Sequence, residues 1–334
     1  TGAGSPSGRR LPGGEVNRVL PRLDEFLAWP MEEVARCVRA AGPRVCVFPI
    51  NGTRRWFLLE CQDRPDAALG TEYVNRAARR HIELYRLLFE HGLDTLLTPV
   101  FGPDLVARGP DYMQVAAEGL RRLATHPDFL AFYDEMQVRV RFYGDYIRYL
   151  KGTEAESLIG LFEEVSAKTR DHERFRLFFG LFAHDAVESV AELTLEYYQE
   201  RGQAPDRAAL IQAYYGEPVA PVDLFIGFDK FCAFDMPLLA TGNEDLYFTV
   251  SPSLYLNEKG LRRILYDHLY SRRQEDHQHA AMTDQDWEAM RTFYRANAER
   301  CLGVGVRQAR GGFWYPLPEV DLPDGFLEII TPDL

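Results

Sequence analysis

Residues 44–56 read Arg44-Val45-Cys46-Val47-Phe48-Pro49-Ile50-Asn51-Gly52-Thr53-Arg54-Arg55-Trp56. The first seven form a short apolar run with the composition of a buried strand. Asn51-Gly52 is a turn signal, and the residues after it open a helix. A helix start presents backbone N–H groups without partners and a partial positive charge. Gly52 lets the backbone approach a ligand closely. Thr53 adds a hydroxyl, and Arg54 and Arg55 add two permanent charges suited to phosphate oxygens. Together these parts make a diphosphate cradle. The same residues also read as an ordinary strand-to-helix turn with two surface arginines and a core tryptophan, and spacing alone does not choose between them.

Outward from this stretch, helical periodicity alternates with β-rich runs. Residues 23–41 read as a helix capped by Asp24, and 72–91 as an amphipathic helix closed by Gly92. The run 94–101 (DTLLTPVF) is a second strand, the alternating 137–143 (QVRVRFY) a third and 175–183 a fourth. Residues 223–227 and 245–250 are two more strands, with helices over 112–124, 127–135, 154–168, 185–200, 206–214, 258–270 and 284–299. This order predicts an α/β fold, a mostly parallel central sheet flanked by helices on both faces. Ligands of such sheets bind at the carboxyl ends of strands, which is where Asn51-Gly52 falls.

Composition narrows the function classes. A net charge of −12 without a basic stripe argues against nucleic acid and against an anionic membrane surface. No apolar run approaches the ~18 residues that span a bilayer. The five cysteines show no CxxC spacing, as expected of a reduced, cytoplasmic protein without a cysteine zinc site. Residues 1–15 read as a disordered leader, 16–312 as a single catalytic domain and 313–334 as an acidic, Pro-rich tail. His277-Gln278-His279 lies in a polar run and reads as a solvated loop. The aromatic stretches 175–182 and 225–234 suit either a dry apolar pocket or simple core.

The segment Asn51 to Trp56 resembles the first signature of the cis-prenyltransferases, Asp-Gly-Asn-(Gly/Arg)-Arg-Trp after a buried strand. Val138 to Asp145 is similar to that family's Val-Arg-x-Gly-Asp region. Residues 220–224 and 245–249 resemble its carboxyl-terminal part. A nearer resemblance is to the tuberculosinol and tuberculosinyl-adenosine synthases, carried by Asn51 to Trp56, Phe89 to Gly92, Phe142 to Asp145, Tyr214 to Glu217 and Leu261 to His268. The resemblance implies a cis-prenyltransferase fold and a terpene synthase or prenyl transferase. Its substrate would be an allylic isoprenoid diphosphate, a bicyclic C20 compound by this likeness. The cation would be quenched by water, by proton loss or by a nucleophile such as adenosine. The resemblance also implies Mg²⁺ and a homodimer.

Two departures from the pattern matter. Chain-elongating members carry arginines after the strand at 223–227 that hold isopentenyl diphosphate; here Gly227-Phe228-Asp229-Lys230-Phe231 stands instead. An anionic co-substrate is poorly held beside an aspartate, which disfavours elongation. The family's first aspartate is Asn51 here, which keeps an oxygen but loses the charge that Mg²⁺ prefers. By resemblance Asp245 occupies a metal-binding glutamate's place, although it also reads as a plain strand-end carboxylate. Likewise by resemblance, Tyr73 and Tyr112 stand near the reacting carbons, where their rings would stabilise a cation. The catalytic set so expected is Asn51, Arg54, Arg55, Tyr73 and Tyr112, with Gly52 and Thr53 completing the diphosphate site. A non-catalytic partner subunit of a heteromeric prenyltransferase is the rival that the loss of the aspartate suggests.

Overall fold

Every residue of β1 (Val45–Val47) is buried, and the strand is flanked on both sides by parallel neighbours. The computed structural model describes residues 20–41, 45–60, 70–102, 110–183, 185–272, 282–307, 314–316 and 320–325. The expected leader 1–15 and the stretch His277 to His279 lie outside the described residues. The other strands are β2 (Thr95–Phe101), β3 (Val138–Tyr143), β4 (Phe175–Leu181), β5 (Leu224–Phe228) and β6 (Asp245–Thr249). They form one sheet in the order β3-β4-β2-β1-β5-β6, with every pairing parallel. The four inner strands read as continuous apolar runs because both their faces are covered. Only edge strand β3 alternates, with Val138, Val140 and Phe142 inward and Arg139 and Arg141 half-exposed.

Alternation along residues 45–50 divides the core in two. Cys46, Phe48 and Ile50 join the larger cluster, and Val45 and Val47 join the smaller. The larger cluster draws on α1 (Leu23–Ala28), α2 (Met31–Ala41), α4 (Thr71–Glu90), α5 (Pro110–Thr125), α6 (Pro127–Met136), α8 (Ser157–Lys168) and α11 (Glu258–Tyr266). The smaller packs against α9 (Val187–Arg201) and α10 (Arg207–Tyr215). Helices α3 (Thr53–Glu60), α7 (Tyr146–Leu150) and α12 (Asp284–Ala296) complete the set among the described residues.

Three details depart from expectation. Residues 23–41 are two helices, because Pro30 cannot continue the first and forces Trp29 into extended backbone (ψ 150). Asp24 lies inside the first turn instead of capping it; Arg22 precedes the helix and donates its N–H to Glu25 Oε2 at 3.2 Å. A short antiparallel pair, β7 (Gly305–Arg307) with β8 (Trp314–Pro316), follows the last helix, where no strand was expected.

Apart from 51–56, the stretches that carry the resemblance are scaffold. Buried Arg262 donates to the carbonyls of Leu27 and Trp29 (3.0 and 2.6 Å) and to His91 Nε2 (3.3 Å), tying α11 to the α1–α2 turn and to the end of α4. Glu217, 8% exposed, gathers Arg139, Arg141 and Arg176 at 3.4, 3.2 and 3.8 Å. Gly144 has φ +97, and a Cβ there would lie 2.1 Å from the carbonyl oxygen of Leu181. Gly144→Ala should therefore destabilise the protein by at least about 2 kcal/mol. Gly160→Ala, in α8 with nothing within 4 Å, should stabilise it by about 0.5–1 kcal/mol. Urea unfolding of both variants measures the contrast; equal midpoints would show that the close approach at Gly144 is not a constraint.

Candidate functional site

In this sheet the crossing direction reverses at β1 and β5: β1 leads to β2 on one side, while β5 leads to β6 on the other. Outside the carboxyl ends of such a pair lies a crevice, the usual ligand position in open α/β sheets. Asn51-Gly52 follows β1 and Phe228-Asp229 ends β5, so the two meet there. Gly52 has φ +74, and a Cβ on it would fall 2.8 Å from the Phe228 ring. The turn is clasped by buried Ser253. Its Oγ accepts from Asn51 N–H (3.1 Å) and donates to the Pro49 carbonyl (3.2 Å), while its own N–H donates to the Asn51 carbonyl (3.1 Å). The Trp56 N–H donates to the Gly52 carbonyl at 2.9 Å and starts α3. The N–H groups of Thr53, Arg54 and Arg55 belong to its first turn and have no intrahelical acceptor.

The two arginines differ. Arg54 is exposed and has no carboxylate partner among the described residues. Arg55 is half-buried, lies 3.5 Å from Asp229 Oδ2 and stacks over the Phe228 ring at 5.4 Å. Asp229 itself sits at φ +68. Its charge offsets that of Arg55, whereas Arg54 has no such carboxylate beside it among the described residues.

Beside the cradle opens a cavity of about 170 Å³ between α4, α5 and the ends of β1 and β2. Thr53 and Tyr73 belong to both features: they line the cavity, and their hydroxyls share a hydrogen bond of 2.8 Å. The Tyr73 ring meets Phe57 edge-on at 5.3 Å. The remaining wall is apolar, built of small residues (Ala77, Ala78, Ala116, Gly119) and larger ones (Ile50, Leu120, Leu123, Phe129), with His81 as the exception. The start of α3 thus borders directly on an apolar hole. The aromatic stretches 175–182 and 225–234 contribute no wall residue to it; Phe175, Phe178, Phe179 and Phe225 are core.

Asn51, Gly52, Thr53, Arg54, Arg55 and Tyr73 are thus brought together. Tyr112 falls in α5, and its side chain lies outside the described residues. Asp245 is placed elsewhere. It opens β6, in register with Leu224 and so with Cys46 at the start of the sheet. Asn51 is five residues beyond Cys46, roughly 16 Å along the strand direction. Asp245 is instead held by His268 (Nδ1 to Oδ2, 2.6 Å) and by Arg272 (3.6 Å). Among the described residues no group of three or more His, Cys, Asp or Glu could hold a metal ion. The cradle offers an amide at Asn51, a hydroxyl at Thr53 and an aspartate already committed to Arg55, which do not make a Mg²⁺ site of their own. Sequence reasoning missed Ser253, which carries no signal in the polar run around it. It read Asp229 as an acidic residue unfavourable to an anionic co-substrate, not as the partner of Arg55.

No protein-family model matches the chain. Among curated proteins it is 42% identical over 293 residues to the tuberculosinyl adenosine transferase of Mycobacterium tuberculosis, covering 87% of this chain and 97% of the relative. It is 27% identical over 310 residues to the (+)-kolavelool synthase of Herpetosiphon aurantiacus, covering 90% and 96%. Solved structures share the fold at low identity. A probable undecaprenyl diphosphate synthase from Campylobacter jejuni has a TM-score of 0.52 at 16% identity, over 69% of this chain and 97% of that one. Lavandulyl diphosphate synthase from Lavandula x intermedia, solved with dimethylallyl diphosphate, has a TM-score of 0.56 at 14% identity, over 72% and 98%. A crevice at the β1–β5 switch point and near-full-length identity of this size lead to one assignment: the chain belongs to the family of the tuberculosinyl adenosine transferase, enzymes built on the cis-prenyltransferase fold.

Proposed function

We propose that this enzyme ionises an allylic C20 diphosphate, one whose hydrocarbon is already bicyclic, and passes the cation to water, to a base by proton loss, or to a neutral nucleophile such as adenosine. The observation that carries this reading is the junction at Thr53 and Tyr73, where a helix start with an unpaired arginine opens into an apolar cavity. The diphosphate would lie against the first turn of α3, on the N–H groups of residues 53–55 and the Arg54 guanidinium. The carbon–oxygen bond breaks heterolytically, and its electron pair leaves with the diphosphate. Donors fixed in advance stabilise that developing charge without reorganising. Tyr73 holds the Thr53 hydroxyl in place and presents its ring to the allylic carbons. Water adds oxygen to the cation and loses a proton, giving an alcohol; a nucleoside nitrogen gives a transfer product.

Chain elongation is disfavoured by Asp229, which stands at the end of β5 where a second diphosphate would sit. Mg²⁺ would enter with the substrate's own oxygens, as it often does with phosphate ligands, and the Asn51 side chain adds no charge to hold it. The Asn51 backbone is clasped by Ser253 while its side chain makes no hydrogen bond among the described residues.

Two outcomes are expected. Incubated without isopentenyl diphosphate, the purified protein should release diphosphate from a bicyclic C20 diphosphate and yield an alcohol, an olefin or an adenosine adduct by mass spectrometry. Products lengthened by five carbons would overturn the reading, and no turnover would favour a non-catalytic partner. In kinetics, Arg54→Ala should lower kcat/KM by about 10²–10³-fold, the size of a lost oxyanion donor. Asn51→Ala should stay within roughly fivefold of the parent, the size of a single hydrogen bond at most. If Asn51→Ala is the more damaging variant, the departing charge is not carried by Arg54.

A further inference from the structure

Of the fifteen residues lining the cavity, Thr53 and Tyr73 are polar at its mouth, and a third polar group, His81, lies well inside. Tyr73, Ala77 and His81 follow one another at intervals of four on α4, so they share one helix face. Eight residues separate Tyr73 from His81, about 12 Å along the axis. An allylic carbon bonded to a diphosphate at Thr53 does not reach that depth; the ring portion of the hydrocarbon does. The imidazole has a fixed tautomer. Nδ1 lies 2.6 Å from the Ala77 carbonyl, which can only accept, so Nδ1 carries the proton. Nε2 then presents a lone pair. It meets no hydrogen-bond partner among the described residues and is not one of their sealed polar atoms, and His81 is a lining residue of the cavity. Burial pushes the imidazole down to about 4, so the ring is neutral at any physiological pH.

A hydrogen-bond acceptor facing an otherwise apolar hole costs free energy unless a donor meets it. The donor must come from the ligand's far end and carry no charge, since the wall offers nothing to balance one. We propose that His81 Nε2 accepts a hydrogen bond from a hydroxyl on the ring portion of the substrate, making the enzyme selective for an oxygenated bicyclic diterpenyl diphosphate. A ketone at the same carbon brings a second acceptor against Nε2 and is rejected. The reaction class that supplies such a substrate is a cyclisation ended by water instead of by proton loss. This inference rests on the terpenyl diphosphate reading of the site.

The test uses three diphosphates sharing one bicyclic C20 skeleton, bearing hydrogen, a hydroxyl or a keto group on a ring carbon, with release of inorganic diphosphate as the readout. The parent enzyme should favour the hydroxylated substrate by about tenfold in kcat/KM over the unsubstituted one, as sites built to bond a hydroxyl do, with the ketone the poorest. His81→Phe should reverse that preference, and His81→Gln, which keeps an acceptor oxygen, should restore part of it. Equal kcat/KM for the hydroxylated and unsubstituted substrates, or a preference untouched by His81→Phe, overturns the inference and leaves the terpenyl reading standing; Nε2 would then be bonded to water. Release from none of the three substrates overturns both. Thermal unfolding of the His81 variants separates a misfolded protein from one with altered selectivity.

Discussion

β1 is only three residues long, so where it ends must be fixed by its neighbours, and the site hangs on that end. On one side Phe48 N–H donates to the Leu97 carbonyl at 2.8 Å. On the other, Asp223 both receives the Val45 N–H on its carboxylate (3.0 Å) and returns its own N–H to the Val45 carbonyl (2.9 Å). Beyond the strand, Ser253 fills both the donor and the acceptor needs of residues 49–51. A buried backbone group left without a partner costs about 1–3 kcal/mol, so these bonds restrict the chain to one path. That path delivers Gly52 against Phe228 and starts α3 at the crevice. The helix start reaches the crevice because of where the strand stops, and under the proposed function that placement is what would make it an anion site.

Charge at the cradle is rationed by the same geometry. Two adjacent arginines on a helix point in different directions, since successive residues are about 100° apart around the axis. Arg55 is turned toward β5 and finds Asp229 and the Phe228 ring; Arg54 is turned outward. A pair of like charges thereby becomes one anchored and one available group. The half-exposed Arg55–Asp229 contact adds little stability by itself. Its consequence is directional: it joins the first turn of α3 to Phe228 and Asp229 at the end of β5.

Much of this was legible in the sequence. The run 44–50, the turn at 51–52 and the alternation at 137–143 follow from local patterns that tertiary contacts do not override, and the strands fell where those patterns put them. The break at Pro30 was legible too, because proline stops a helix whatever surrounds it, but the strong apolar periodicity on either side masked it. Asp245 was not legible: a strand-end residue matches a family position by order along the chain, whereas a parallel strand has two ends, and register alone says which end faces the site. Ser253, Asp229 and His81 share another difficulty. Ser253 and Asp229 act through partners about 170 to 200 residues away, His81 through a cavity assembled from several elements, and no local window contains that information.

The division of polar groups within the cavity bears on the fate of a cation formed there under the proposed function. Among the described lining residues, the polar wall atoms near the cradle are the hydroxyls of Thr53 and Tyr73, which share a hydrogen bond. His81, the other polar group among them, is two helical turns away and neutral. Under that reading an allylic cation at the mouth would face aromatic and aliphatic surface on the cavity side, and the one free base among the described lining residues, the His81 imidazole, stands two turns along α4. On that reading the quencher would come from the crevice side, where Asp229 is half-buried and Phe228 buried. Under the proposed function, hydrocarbon recognition and cation capture would thus fall on opposite sides of the Thr53–Tyr73 contact. Substrate selectivity can then change through α4 and α5 while product selectivity changes through the end of β5, with the diphosphate cradle unaltered between them.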